Sequence, residues 1–401
     1  MCKVVDNFGD IGVVYRLAKA LSELDPELRL RLVVNDLVAF SKLCPAIKIG
    51  HAVQYAEGWT VASGPEASGI FRAERPRFII ECFACGRPDW YEEILFDPDD
   101  PDDRLIVNLE YLTAEDYAID LHKAPSLTRS AKVKKAMFLP GFAQGTGGLI
   151  IDRRFAFLRD AYRDENRKEG LRQNLLAAIA AGIPAAAESR VLAGPIPADA
   201  PERFWVSIFS YERDYQPVVQ DLAAFHRDRP LLALIAAGKS SEPFLDAWKR
   251  ADRPFPAIAL PFLTQETWDE VILASDFAIV RGEESLARAA LSGRPFLWHA
   301  YRLEDDYQLV KVRALIDRMR PFFGSEDFSA IERAFITFND RRIDSNNAKG
   351  ADEGLDVFLE RLSKPKRKQG SLETGFEAWS QSLFDLGNLA RGLLTFIRDF
   401  E

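Results

Sequence analysis

Apolar residues fall in short blocks along most of the chain, and two patterns alternate. Near-continuous apolar runs bounded by loop-forming residues predict buried strands at Lys3–Val5, Leu30–Val34, Phe78–Glu81 and Arg104–Asn108. A second set is predicted at Arg203–Phe209, Leu231–Ala236, Ala257–Leu260, Phe277–Val280 and Pro295–Trp298. Between them, helical spacing predicts helices, as in Leu171–Ala181, Phe244–Arg250, Trp268–Ala274 and Leu286–Leu291. Such alternation implies parallel sheets wrapped by helices, and its interruption near residues 160–200 implies two of them. The expected junction is Ala181-Gly182-Ile183-Pro184-Ala185 with Gly194 to Pro201 after it. Beyond residue 363, Lys364-Pro365-Lys366-Arg367-Lys368-Gln369-Gly370 reads as an exposed linker. One closing helix with an apolar stripe of Phe376, Trp379, Leu383, Leu386, Leu393 and Ile397 follows, expected to brace both domains.

The first predicted strand runs into Asp6-Asn7-Phe8-Gly9-Asp10-Ile11-Gly12, and a helix opens there, with Val14, Leu17, Ala18, Leu21 and Leu24 at helical spacing. Asp10 stands where an N-cap belongs, and Gly9 and Gly12 allow a ligand close to the backbone. Two carboxylates thus fall at the carboxyl end of a strand, where open α/β sheets keep their ligands. A helix cap beside an ordinary turn gives the same local pattern.

A chain of 401 residues is long enough for two domains, and its 47% hydrophobic and 28% charged content fits a folded globular protein. The net charge of −9 argues against a nucleic-acid coat, which needs a basic surface. No apolar run is long enough for a membrane span, and the opening strand leaves no room for a secretory signal. Four cysteines make no disulfide scaffold, so a reducing cytoplasm is expected. The acidic run Asp97 to Asp103 reads as a solvated loop, with a docking surface for a basic partner as the lesser reading.

A second strand–turn–helix pattern ends in Arg281-Gly282-Glu283-Glu284-Ser285. Helix-terminal amides, the Ser285 hydroxyl and the Arg281 guanidinium suit a diphosphate. Glu283 and Glu284 would repel that anion unless they accept from sugar hydroxyls; equally, they complement a helix dipole. Phe262 and Gln265 are placed in a loop after one strand, and Phe209 and Tyr211 in the loop after another. Those are positions for stacking on a base and reading its edge, although aromatics are more often core. The glycine-rich Leu139–Leu149 and the polar Asn108-Leu109-Glu110-Tyr111-Leu112 either border a cleft or form plain turns. Other motifs fail. Gly238-Lys239-Ser240 has Ala233 where a P-loop needs its first glycine, and no Gly-x-Gly-x-x-Gly occurs. Cys82-Phe83-Ala84-Cys85 lacks a second pair, and the four histidines are far apart. A metal-independent enzyme using carboxylates fits these residues better.

Taken in order, Val4 to Gly12, Asn108 to Leu112, Pro140-Gly141-Phe142 with Gly145 to Leu149, Val280 to Ser285 and Pro295-Phe296-Leu297-Trp298-His299 resemble the EarP protein-arginine rhamnosyltransferases. The resemblance implies a GT-B fold, α/β, with two Rossmann-like domains facing across a cleft. The domains are placed at 1–175, binding the acceptor, and 176–365, binding a nucleotide sugar, with a helical segment at 366–401. It implies inverting transfer of rhamnose from dTDP-β-L-rhamnose to one arginine of translation elongation factor P, without metal or other cofactor, nucleic acid or membrane. Asp10 matches the family's proposed general base, Asp6 a second essential carboxylate and Glu283 a glutamate that places the donor. Arg281, Gly282 and Ser285 match the diphosphate-binding segment, and Phe209, Tyr211, Phe262 and Gln265 the thymine and sugar pocket. Asn7, Phe8, Gly9 and Gly12 fall on the acceptor side. Glu284 departs from the family's usual aspartate, keeping the charge on an arm longer by one methylene, and Tyr15 replaces a common tryptophan. A heptosyltransferase-like GT-B enzyme and a silent partner of elongation factor P are the alternatives.

Overall fold

The computed structural model describes residues 1–4, 9–181, 196–340, 353–364 and 371–400. They divide into two compact units, Met1–Asp152 with Asp385–Glu401, and Arg153–Phe384. No described helix is long and apolar enough to cross a membrane.

The first unit holds strands β1 (Arg31–Val33), β2 (Val53–Ala56), β3 (Trp59–Ala62), β4 (Phe78–Cys82), β5 (Arg104–Leu109), β6 (Pro125–Ser126) and β7 (Val133–Phe138). They are ordered β1-β3-β2 and β4-β5-β7-β6, with β2 and β6 the antiparallel members. The start of the chain joins the two sheets. Cys2 N donates to Val33 O (2.9 Å), Cys82 N to Met1 O (3.0 Å) and the Met1 amine to Ile80 O (2.6 Å). Met1–Cys2 therefore lies between β1 and β4. The predicted strand Lys3–Val5 is reduced to a single parallel bridge, Cys2 to Val34. Asn35 takes the next donor instead, through Val4 N to Oδ1 at 2.7 Å; Val5 lies outside the described residues.

The second unit carries β8 (Phe204–Ile208), β9 (Leu231–Ile235), β10 (Ala257–Ala259), β11 (Phe277–Arg281) and β12 (Phe296–His299), all parallel and ordered β10-β9-β8-β11-β12. Every residue of β8, β9 and β10 is buried, which is why these strands read as continuous apolar runs.

Three expectations need correction. The units part at 152/153, not at 175/176. Helices Arg153–Arg163 and Glu165–Ala181 belong to the second unit because polar anchors fasten them there. Arg172 pairs with Asp276 at 2.6 Å, Lys168 pairs with the same carboxylate, and Arg294 donates to Tyr162 O. Likewise, residues 366–401 are not one segment with one helix. Leu372–Asp385 and Leu389–Arg398 are separate, broken at Gly387 (φ +101°), with Asn388 capping the second through Ala390 N (3.0 Å). The first of them ends the second unit, and the other completes the first. Finally, the acidic run is not merely solvated. Asp100 is buried, accepting from Arg104 Nε at 2.7 Å and pairing with Arg75 at 3.0 Å, and Asp97 also pairs with Arg75.

Candidate active site

In the first unit the strand order reverses direction around the chain start: β1 lies to one side of Met1–Cys2 and β4 to the other. Open α/β sheets place ligands beyond the carboxyl ends of strands at such a switch. Helix Gly9–Leu24 begins there, driven by burial of Ile11, Val14, Leu17, Ala18 and Leu21. Asp10 lies within this helix rather than at its N-cap, because Gly9 before it is already helical. A first-turn carboxylate still complements the helix dipole. Asp10 is only 3% exposed, and its Oδ1 accepts from the Tyr111 hydroxyl at 3.1 Å, just past the end of β5. Gly9 is exposed and Gly12 buried. Asp6, Asn7 and Phe8 lie outside the described residues.

Beside Tyr111, the end of β4 takes a backbone path that side chains rarely adopt. Phe83 (φ 60°) and Ala84 (φ 47°) are both left-handed, and Phe83 N donates to Leu109 O at 2.7 Å. This turn lays the Phe83 ring on that of Tyr111, with centroids 4.4 Å apart and planes at 13°. Non-glycine residues held this way gather at functional sites. Asn108, buried at the end of β5, donates to the Glu110 carboxylate.

The switch in the second sheet lies between β8 and β11. Arg281 ends β11, and its guanidinium carbon sits 4.7 Å from the Phe209 ring centre and 4.6 Å from that of Tyr211. Its Nε is buried without a hydrogen-bond partner among the described residues. Gly282, at φ +68°, turns the chain into helix Glu283–Ser292, whose first amides open beside Arg281. Ser285 is buried and accepts from Trp268 Nε1 at 3.1 Å, and Trp268 meets Phe209 edge-on at 5.4 Å. Glu284 forms an ion pair with buried Arg288 at 3.3 Å. Phe262 is exposed. Gln265 is not in a loop: it opens helix Gln265–Ala274, because Thr264 caps that helix by accepting from Thr267 N (3.3 Å).

Cation, aromatics and helix start thus form one constellation, suited to an aromatic base attached to a phosphate anion. Sequence reasoning missed several of its supports. Gly238 belongs to the rejected P-loop look-alike, yet a Cβ there would lie 3.4 Å from Phe209 and 3.9 Å from Arg281 Nη2. His299, the last residue of β12, carries no sequence signal for a place in this site. Its Nδ1 lies 2.7 Å from the Ser210 hydroxyl, and its ring meets Tyr211 edge-on at 5.3 Å. Burial, then Arg213, Arg302 and Arg281, push its pKa down to about 3, so the imidazole is neutral near pH 7. Trp268 lies on a helix where an aromatic ordinarily reads as core.

The model of the elongation-factor P (EF-P) rhamnosyltransferase EarP matches residues 1–398. A protein-arginine rhamnosyltransferase of Shewanella oneidensis is 33% identical, over 79% of this chain and 78% of its own. One from Pseudomonas aeruginosa is 32% identical over 79% and 80%, and one from Neisseria meningitidis 28% identical over 99% and 95%. Among solved structures, one described as the structural basis for EarP-mediated arginine glycosylation of translation elongation factor EF-P superposes with a TM-score of 0.58. It shares 18% identity and is covered over 97% of its length by 99% of this chain. The fold is accordingly that of a GT-B glycosyltransferase. The chain belongs to the EarP family, the elongation-factor P rhamnosyltransferases, and as an enzyme it is a protein-arginine rhamnosyltransferase.

Proposed function

We propose that the protein transfers L-rhamnose from dTDP-β-L-rhamnose to one arginine of translation elongation factor P, inverting the anomeric carbon. The second unit receives the donor and the first the acceptor. Because the acceptor is a translation factor, the reaction belongs in the cytoplasm. The observation that carries the donor half is Arg281, stacked between Phe209 and Tyr211 at the start of helix Glu283–Ser292. Thymine is an aromatic base for the Phe209, Tyr211 and Phe262 group, with Gln265 at its edge. The diphosphate is an anion for Arg281, Ser285 and the helix amides. Glu283 faces the sugar as an acceptor for its hydroxyls. Glu284 reaches the same sugar only through whatever freedom its ion pair with Arg288 leaves.

A guanidinium is a poor nucleophile, since its lone pairs are delocalised and its pKa is about 12.5–13.8. Carboxylates hold such a group through charge-assisted hydrogen bonds and fix one terminal nitrogen toward the sugar. In this reading Asp6 holds the cation and Asp10 accepts the proton released as the C–N bond forms. The bond from the anomeric carbon to the diphosphate breaks, and dTDP leaves with its charge balanced by Arg281 and the helix amides. Attack opposite the leaving group gives inversion. No observation favours a heptosyl transferase or a silent binding protein.

Intact-mass analysis of elongation factor P, incubated with this protein and dTDP-rhamnose, tests the reading. A gain of one deoxyhexose on arginine is expected. No gain with a competent acceptor overturns it.

A further inference from the structure

Large apolar side chains that face solvent are not spread evenly over this molecule. Among the described residues, five of the fourteen exposed large apolar side chains lie between Tyr111 and Leu127: Tyr111, Tyr117, Ile119, Leu121 and Leu127. The short helix Tyr117–Leu121 buries only Ala118 and leaves Tyr117, Ile119 and Leu121 outside. Clusters of this kind mark interaction surfaces.

This one is held in place. Behind it, Lys123 N donates to Met137 O (2.8 Å) and Met137 N to Ala124 O (2.9 Å), which ties the segment to β7. The glycine-rich loop also backs it, since a Cβ on Gly145 would lie 3.0 Å from Ile119 Cγ2. At its inner edge Tyr111 reaches Asp10 and stacks on Phe83, so the surface is continuous with the carboxylate assigned to the acceptor. Within the segment itself the charges from Glu110 to Asp120 are all acidic, namely Glu110, Glu115, Asp116 and Asp120, and the first basic residue is Lys123.

We propose that the outer face of helix Tyr117–Leu121, with Tyr111 at its inner edge, is the docking surface for the arginine-bearing acceptor protein. Apolar side chains flanking the acceptor arginine pack on Tyr117, Ile119 and Leu121, and basic groups around them meet Asp116 and Asp120. Acidic charge near the site speeds encounter with a basic patch, while the buried apolar contacts hold the complex. The proposal rests on the reading of function given above.

The experiment is steady-state transfer to intact elongation factor P by Ile119→Glu and Leu121→Glu, with Leu121→Met as the conservative control. The glutamates are expected to raise the acceptor KM at least tenfold, with kcat and the calorimetric affinity for dTDP-rhamnose unchanged and Leu121→Met near wild type. Asp120→Lys is expected to raise the acceptor KM more at low salt than at high salt. Folded glutamate variants with an unaltered acceptor KM overturn the docking surface, whereas a wild-type protein that transfers nothing overturns the functional reading instead. Should a glutamate variant unfold, Ile119→Ser and Asp120→Lys decide on the same terms.

Discussion

Arg281 ends β11 and Tyr211 lies in the loop after β8, the neighbouring strand, and the guanidinium of the first is 4.6 Å from the ring centre of the second. Phe209 meets the same cation at 4.7 Å. Both rings are within cation–π range of one guanidinium, a group whose planar fork pairs with anions.

A lysine at this position would keep the charge but lose the planar, stacked fork. Arg281→Lys should weaken binding of dTDP-rhamnose by about tenfold, some 1.4 kcal/mol, as read by calorimetry. Wild-type affinity in that variant would remove Arg281 from the donor site.

Asp10 is the proposed proton acceptor, and its hydrogen bond from Tyr111 holds it in one orientation. Asp10→Asn should lose transfer by more than about a hundredfold while donor binding persists. Tyr111→Phe should lose only several-fold, in line with one hydrogen bond to a charged group. Retained turnover in Asp10→Asn would place the base elsewhere.

His299 makes stability depend on pH. Burial, followed by Arg213, Arg302 and Arg281, lowers its pKa to about 3, whereas in the unfolded chain it sits near about 6.5. The unfolded state therefore binds the proton first on acidification. The contribution is fully present above about 6.5 and is lost as pH falls toward the folded value, at up to about 1.4 kcal/mol per pH unit. Urea titrations between pH 7.5 and 4.5 should show a slope that His299→Asn flattens by about one proton. His122, pushed down to about 4 by burial and then Lys123, adds its own slope to both proteins.

Asp276 anchors helix Glu165–Ala181. Burial pushes its carboxyl up, but Arg172 and Lys168 outweigh burial and hold it well below the usual carboxylate range. Asp276→Asn leaves two buried cations without their shared counter-ion and should cost about 3–5 kcal/mol in chemical denaturation. The wild-type contribution is present above the ordinary aspartate value, about 3.9, and is lost on acidification below it.

What was legible in the chain followed burial. Strands covered on both faces, such as β8 and β9, announce themselves as apolar runs, and the turns after β8 and β11 stood out because polar groups interrupt those runs. β7 breaks the apolar pattern because Lys134 and Lys135 lie within it, Lys135 reaching Glu81 at 3.2 Å. β2 and β3 are short, and in β2 only Ala56 is buried. The unit boundary is not legible in the chain because helix Glu165–Ala181 is held by Lys168 and Arg172, and buried ion pairs leave no apolar periodicity. Gly238, Trp268 and His299 join the site only through contacts between distant segments, which no local pattern records.

The helix Leu389–Arg398 supplies Leu389, Ala390, Leu393, Leu394 and Ile397 to the same apolar cluster as Ile11, Val14 and Leu17. The flank of helix Gly9–Leu24 therefore stays uncovered until helix Leu389–Arg398, far along the chain, has been made, and the first unit cannot close its core before then.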